Sequence, residues 1–146
     1  MVHWNWNKIV VGVDGSKDSL RALTWACEEA KLAGVPLVAV SVWTAPPVPT
    51  SPPFGSFPWG VSVEMGDATR SMLRHVVEDA DAEFPTVDIG QYVVAGNAAH
   101  ELIKLSETAD EVVVGAKGHG GFTGMLIGSV SQHVLAHSAC TVVVVR

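Results

Sequence analysis

Residues 9–42 read IVVGVDGSKDSLRALTWACEEAKLAGVPLVAVSV, and this stretch decides the fold. Ile9 to Val13 is a near-continuous apolar run, the composition of a strand covered on both faces. Asp14-Gly15-Ser16 interrupts it with turn residues. Leu20, Leu23, Cys27 and Ala30 then recur at spacings of three and four, the period of a helix with one apolar stripe. Gly34-Val35-Pro36 stops that helix, and Leu37 to Val42 is a second apolar run. Strand, helix and strand in this order form a βαβ unit, whose crossover is right-handed in nearly every sheet and whose strands lie parallel.

The same alternation continues along the chain. A helix is predicted over about 63–84, with Met72, Leu73, Val76, Val77 and Ala80 on one stripe and Glu78, Asp79, Asp81 and Glu83 largely off it, as a solvated face. Val87 to Val94 supplies a third strand and Ala98 to Thr108 a third helix, with Leu102 and Leu105 inward. Val112 to Gly115 is a fourth strand and Thr141 to Val145 a fifth. Before the fifth, Leu126, Val130 and Val134 recur every four residues, again helix spacing. Five strands and four helices in alternation predict an α/β fold, an open parallel sheet with helices on both faces. Such sheets bind ligands at the carboxyl ends of their strands, where the strand order reverses. Between 44 and 60 the repeated prolines forbid both helix and central strand. This is a long loop, either an inert insert or a functional lid or contact surface carrying Phe54, Phe57 and Trp59.

The chemistry is concentrated after the fourth strand, in Gly115-Ala116-Lys117-Gly118, nine residues, and Gly128-Ser129. Gly115 and Gly118 lack a β-carbon, so a phosphate or ribose can approach the main chain closely and meet its N–H groups. Ser129 stands at the entrance of the last helix. Unpaired N–H groups and a partial positive charge there suit an anion. The loop is no Walker A sequence, because Lys117 precedes Gly118, and no GxGxxG fingerprint fits through Gly118, Gly120 and Gly121. A glycine-rich turn without a ligand is the plain alternative for each glycine taken singly. If the first and fourth strands are neighbours, Asp14 faces this loop across one crevice, where its carboxylate can accept hydrogen bonds from ribose hydroxyls.

Composition sets the outer limits. At 146 residues, 48% hydrophobic and 16% charged, the chain suffices for one well-buried core, and a single domain over 1–146 is expected. A net charge of -6 with nine scattered Lys and Arg argues against a nucleic-acid surface. No apolar run has the length to cross a bilayer, and Met1 to Asn7 lacks the layout of a secretion signal, so a cytoplasmic location is expected. Cys27 and Cys140 lie among small apolar neighbours and read as reduced thiols without chemistry.

With these residues in view, the chain resembles the universal stress protein family, in the branch that carries the ATP-binding pattern G-x2-G-x9-G-[ST]. The likeness runs nearly end to end. It includes Val11-Gly12-Val13-Asp14-Gly15-Ser16, Trp25-Ala26 with Glu29-Ala30, the run Val114 to Phe122, and Leu126 to Ser131. Lys117 stands where such proteins often have Arg, and Thr141 where Pro is usual. The resemblance implies a sheet in the order 3-2-1-4-5, the adenine nucleotide alpha-hydrolase-like fold, and an ATP site. The ribose would meet Asp14 and Gly115, and the phosphates Gly118, His119, Gly128, Ser129, Val130 and Ser131. The adenine edge would meet backbone near Val42, and Gly12, Val13, Ala116, Lys117, Gly120 and Gly121 complete the set. A divalent ion, Mg²⁺, would ride on the phosphates. The resemblance further implies an antiparallel homodimer through the last strand, where Val142, Val143, Val144 and Val145 form a β-prone edge with little charge.

The reading that follows is a nucleotide-binding regulatory or stress protein, not an enzyme, with at most slow ATP hydrolysis. No carboxylate pair or arginine finger is identifiable from spacing. Three other readings compete with it, one of them a structural dimer module with a vestigial pocket. Asp14-Gly15-Ser16-Lys17-Asp18-Ser19 faintly echoes the Ser-Gly-Gly-x-Asp-Ser loop of ATP pyrophosphatases that adenylate substrates, although Asp14 and Ser16 depart from it and no substrate domain follows. The same crevice would also serve AMP or cyclic AMP. His119 reads as a hydrogen-bond donor beside phosphate rather than a base. His133 and His137 have metal-ligand spacing on a helix, but no third ligand is evident and a surface pair is the simpler reading. A triad of Ser129, His133 and some Asp is discounted, because chain order alone is no evidence for one.

Overall fold

The computed structural model describes residues 7–45, 59–119 and 124–146, with side chains from 64 onward in the second stretch. The elements are β1 (Ile9–Gly12), α1 (Lys17–Ala33), β2 (Leu37–Trp43), α2 (Trp59–Glu83), β3 (Ile89–Ala95), α3 (Ala98–Ser106), β4 (Glu111–Gly115), α4 (Ser129–His137) and β5 (Thr141–Val145). The strands form one sheet in the order β3-β2-β1-β4-β5. Every pairing is parallel, with Ile9 level with Leu37 on one side and with Glu111 on the other.

The apolar runs explain the layering. Alternate residues of a strand face opposite sides of a sheet. Ile9, Val11 and Val13 pack with Leu37 and Ala39 beneath α1 and α2, against Ala22, Ala26, Leu73 and Val77. Val10, Val40, Val112 and Val114 face the other way, against Ala99 and Leu102 of α3 and Val134 of α4. Strands buried on both faces need apolar side chains at consecutive positions, which is why β1 and β4 show no polar alternation.

Local signals set the helix ends. Ser16 caps α1 by accepting from the Ser19 amide at 3.3 Å, and Gly34 closes it in the left-handed region at φ 68°. Asn97 caps α3 in the same way through the His100 amide at 3.0 Å.

Three sequence expectations are corrected here. Leu126 lies ahead of α4 and is 71% exposed, so it is no part of the helix stripe; the helix begins at Ser129, as expected, and buries Val134 with Ser131. Leu20 of α1 is exposed, and the inward stripe of that helix runs instead through Ala22, Leu23, Ala26, Cys27 and Ala30. The proline-rich loop ends earlier than 60, since Trp59 and Gly60 already belong to α2. Residues 46–58, with Phe54 and Phe57, lie outside the described residues.

Candidate functional site

The strand order reverses at β1, whose neighbours are β2 and β4, and the chain leaves β1 and β4 on the same edge of the sheet. A crevice of about 760 Å³ opens there. Gly12, Val13, Asp14, Val42, Gly115, Lys117, Gly118, His119, Gly128, Ser129, Val130 and Ser131 all line it. Residues far apart in sequence therefore meet as the spacing predicts, because a parallel sheet brings all its strand carboxyl ends to one edge.

The floor is built by β1 and the turn after it. Val13 extends the strand, its amide donating to the Val40 carbonyl at 2.8 Å, and the Ser41 hydroxyl donates to the Val13 carbonyl at 2.6 Å. Gly15 then turns the chain with φ 82°, the left-handed region that favours glycine. The turn aims the Asp14 side chain across the sheet edge, with the Ser16 amide donating to Asp14 Oδ1 at 2.9 Å. Burial pushes the Asp14 carboxyl up. The hydrogen bonds from Ser16 and Ser19 and the nearby His119 ring outweigh that and hold it below the usual carboxylate value. Asp14 is thus an ionised acceptor at neutral pH.

The opposite wall is the loop after β4. Its glycines matter for space rather than for backbone angle. Positive φ occurs, among the described residues, at Gly15, Gly34, Gly96 and Gly124, and not at Gly115, Gly118 or Gly128. A β-carbon on Gly115 would stand 2.7 Å from the backbone of Asp18 and Ser19, so this glycine lets the first turn of α1 press against the end of β4. A β-carbon on Gly118 would stand 2.5 Å from Asp14 Oδ2, so this one keeps the carboxylate and the loop amides in mutual reach. Three contacts brace the loop. The Lys117 amide donates to Asp18 Oδ2 at 3.2 Å, the Ser16 hydroxyl to the Lys117 carbonyl at 3.4 Å, and His119 Nε2 to the Asp14 carbonyl at 2.8 Å.

At the end of the crevice stands α4. Gly128 is its cap residue, and no side chain among the described residues caps it. Its first-turn N–H groups are thus left to the crevice, where they and the helix dipole suit an anion. The Ser131 hydroxyl is already spent, donating to the Gly115 carbonyl at 2.5 Å and tying the helix to β4. Ala116 departs further from expectation. It is buried, its amide donates to the Val145 carbonyl at 2.7 Å and its carbonyl accepts from the Gly128 amide at 2.5 Å, so it fastens the loop without lining the crevice. Gly120 and Gly121 lie outside the described residues.

The remaining wall is apolar: Val40, Val42, Leu102 and Val114 from one side of the sheet, and Met65, Thr69 and Met72 from α2. The α2 contribution is absent from the sequence reading. Its signal was present, because 65, 69 and 72 continue upstream the stripe that includes Met72 and Val76. The His133 and His137 rings lie outside this crevice on exposed α4 positions, with centroids 5.0 Å apart. Among the described residues no group of three His, Cys, Asp or Glu side chains could hold a metal ion, and no helix is long and apolar enough to cross a membrane.

Comparison with known proteins agrees with this architecture. The sequence profile of the Universal stress protein family matches residues 5–146. The chain belongs to this family. A universal stress protein of Mycolicibacterium smegmatis is 38% identical over 138 residues, which cover 94% of this chain and 45% of the relative. The chain spans about half the length of the curated relatives it matches. Universal stress protein UspA from Lactobacillus plantarum shares the fold with a TM-score of 0.82 at 22% identity, over 99% of this chain and 100% of that one. A universal stress protein in complex with cAMP is 28% identical, with a TM-score of 0.68 and 97% of each chain covered.

Proposed function

We propose that this universal stress protein binds an adenine nucleotide, ATP with Mg²⁺, at the carboxyl end of β1 and β4, and that occupancy serves regulation rather than turnover. The observation that carries the reading is the meeting of three groups at one end of the crevice. These are the ionised Asp14 carboxylate, the loop amides around Gly118, and the first turn of α4, which no described side chain caps. An apolar wall at the other end is suited to a base. The similar protein solved with cAMP supports an adenine nucleotide as the class of ligand. Asp14 would take the ribose hydroxyls, and the amides from Gly118 and from α4 the phosphates. The adenine would lie along Val42 with its edge on the backbone of β2.

The donor set fits a polyphosphate. The loop offers Lys117 and main-chain N–H groups, but Asp14 and Asp18 bring two carboxylates close to the same loop. A phosphate tail beside them needs a counter-charge, and a divalent ion carried by the tail supplies it. Among the described residues at the phosphate end, two candidate groups are already engaged. His119 is engaged with the Asp14 carbonyl, and Ser131 with that of Gly115. These engagements support the reading of slow turnover at most.

Calorimetric titration of the purified chain with ATP, ADP, AMP and cyclic AMP, each with and without Mg²⁺, tests the reading. Binding of ATP that strengthens with Mg²⁺ is the expected result. Preference for the cyclic nucleotide would move the site to the competing reading that the cAMP complex favours. Absence of binding by all four would overturn the assignment. Pyrophosphate release that depends on an added acceptor would replace it with an adenylating enzyme.

A further inference from the structure

We propose that Met65, Met72 and Met125 are modification sites, oxidised to sulfoxides by hydrogen peroxide, and that their oxidation closes the crevice to nucleotide. The inference rests on the reading that the crevice holds an adenine nucleotide. The chain has four methionines, and all three beyond Met1 line this one crevice. They approach it from two sides, Met65 and Met72 from one face of α2 and Met125 from the segment leading into α4.

Access and consequence are both visible. Met65 is 39% exposed, so a small oxidant reaches its sulfur from solvent, while Met72 and Met125 are half-buried in the lining of the crevice. Met72 Sδ lies 3.5 Å from the point where a β-carbon on Gly15 would stand, so it rests on the turn that aims Asp14. In the reaction, a sulfur lone pair attacks one peroxide oxygen. An S–O bond forms, the O–O bond breaks, the sulfur is oxidised by two electrons, and the second oxygen leaves as water after taking the proton of the first. The product is polar and bulkier than the thioether. On Met72 the new oxygen presses on the Gly15 turn, and on Met65 or Met125 it replaces apolar lining with a polar, hydrated group where the base would lie.

The cysteines do not compete for the oxidant. Cys27 is buried, and its thiol is pushed up to about 11 by burial and by Glu83, Asp81 and Glu28. Burial raises the Cys140 thiol as well, with Asp110 and Glu111 adding to it. Thiols so shifted carry little thiolate and react slowly.

The test titrates the full chain with MgATP by calorimetry before and after hydrogen peroxide. Peptide mass spectrometry locates the added oxygens, and circular dichroism checks that the fold persists. Expected are oxygens at the three methionines and an affinity at least about tenfold weaker, restored by methionine sulfoxide reductases. A combined Met65→Leu, Met72→Leu, Met125→Leu variant should keep the ratio of its own affinities before and after peroxide near one. If that variant does not fold, reversal by the reductases in the unaltered chain decides instead. Three sulfoxides with unchanged affinity, no oxygen at these positions, or an equal loss in the leucine variant would overturn the proposal. Absence of MgATP binding before peroxide is added would defeat the underlying reading, and this inference with it.

Discussion

At the scale of single residues, Gly115 and Gly118 look alike in sequence and act differently. The β-carbon missing at Gly115 would collide with backbone atoms of Asp18 and Ser19 at 2.7 Å, and the first turn of a helix cannot step aside cheaply. The one missing at Gly118 would meet only the tip of the Asp14 side chain. Gly115→Ala should therefore cost stability, about 2 kcal/mol in a urea melt. Gly118→Val should leave the melt nearly unchanged and weaken MgATP at least about tenfold in calorimetry, because the displaced carboxylate and the added branch fill the phosphate end. The reverse pattern would contradict these roles. Glu111 gives a second prediction at this scale. It is 4% exposed at the amino end of β4, its Oε1 has no hydrogen-bond partner among the described residues, and burial, with Glu29 adding repulsion, raises its carboxyl. A carboxyl raised in the folded state binds more protons there than when unfolded. Stability then declines as pH climbs above the ordinary value near 4.5 and levels off beyond the folded value. Glu111→Gln should flatten that decline and raise the neutral-pH melting temperature by roughly 3 °C, about 1 kcal/mol. Thermal melts at pH 4 and pH 7 check both.

At the scale of elements, legibility followed burial. Strands β1, β2, β4 and β5 are readable to within a residue because each is dominated by a run of apolar residues, and α1 is readable because Ser16 and Gly34 punctuate it. Helix α4 starts at Ser129, where Gly128-Ser129 signals it, but Leu126 does not belong to its stripe, having the right spacing and the wrong surroundings. A residue four before Val130 belongs to the stripe only if the chain is already helical there. Helix α2 ends within a residue of its expected end but starts at Trp59, ahead of its expected start, and its part in the crevice is not legible. The stripe that buries Leu73 and Val77 continues upstream as Met65 and Thr69, and nothing in periodicity tells a core-facing position from a cavity-facing one. Likewise the three site glycines were legible as a group, whereas the reason for each was not: φ and close approach are properties of coordinates. Because α2 is both core and wall, its packing can be probed by itself. Leu73 is fully buried between α2 and the sheet, and Leu73→Ala should cost about 3 kcal/mol, lowering the melting temperature by roughly 9 °C. A shift below 2 °C would mean that α2 is not anchored there.

At the scale of the whole molecule, the sheet has two edges of different character. The edge at β3 carries exposed Tyr92, and Arg70 and Arg74 of α2 lie beside it. The edge at β5 is Thr141 followed by four half-buried valines, paired only to β4 among the described residues and without a charge within the strand to discourage a second partner. An unpaired strand edge of this composition is a template for another strand, and among the described residues the sheet offers β5 none. A second copy meeting β5 across a twofold axis would align the two strands antiparallel, as the family resemblance implies. Sedimentation equilibrium should then give a dimer at micromolar concentration. Hydrogen exchange should show outward amides of β5 protected in a concentration-dependent manner, while those of β3 exchange freely at every concentration. Protection at β5 that ignores concentration, with a monomer in the centrifuge, would leave that edge satisfied within one chain and refute the dimer. Equal protection at both edges would point to stacking of sheets edge to edge, which a closed pair does not produce.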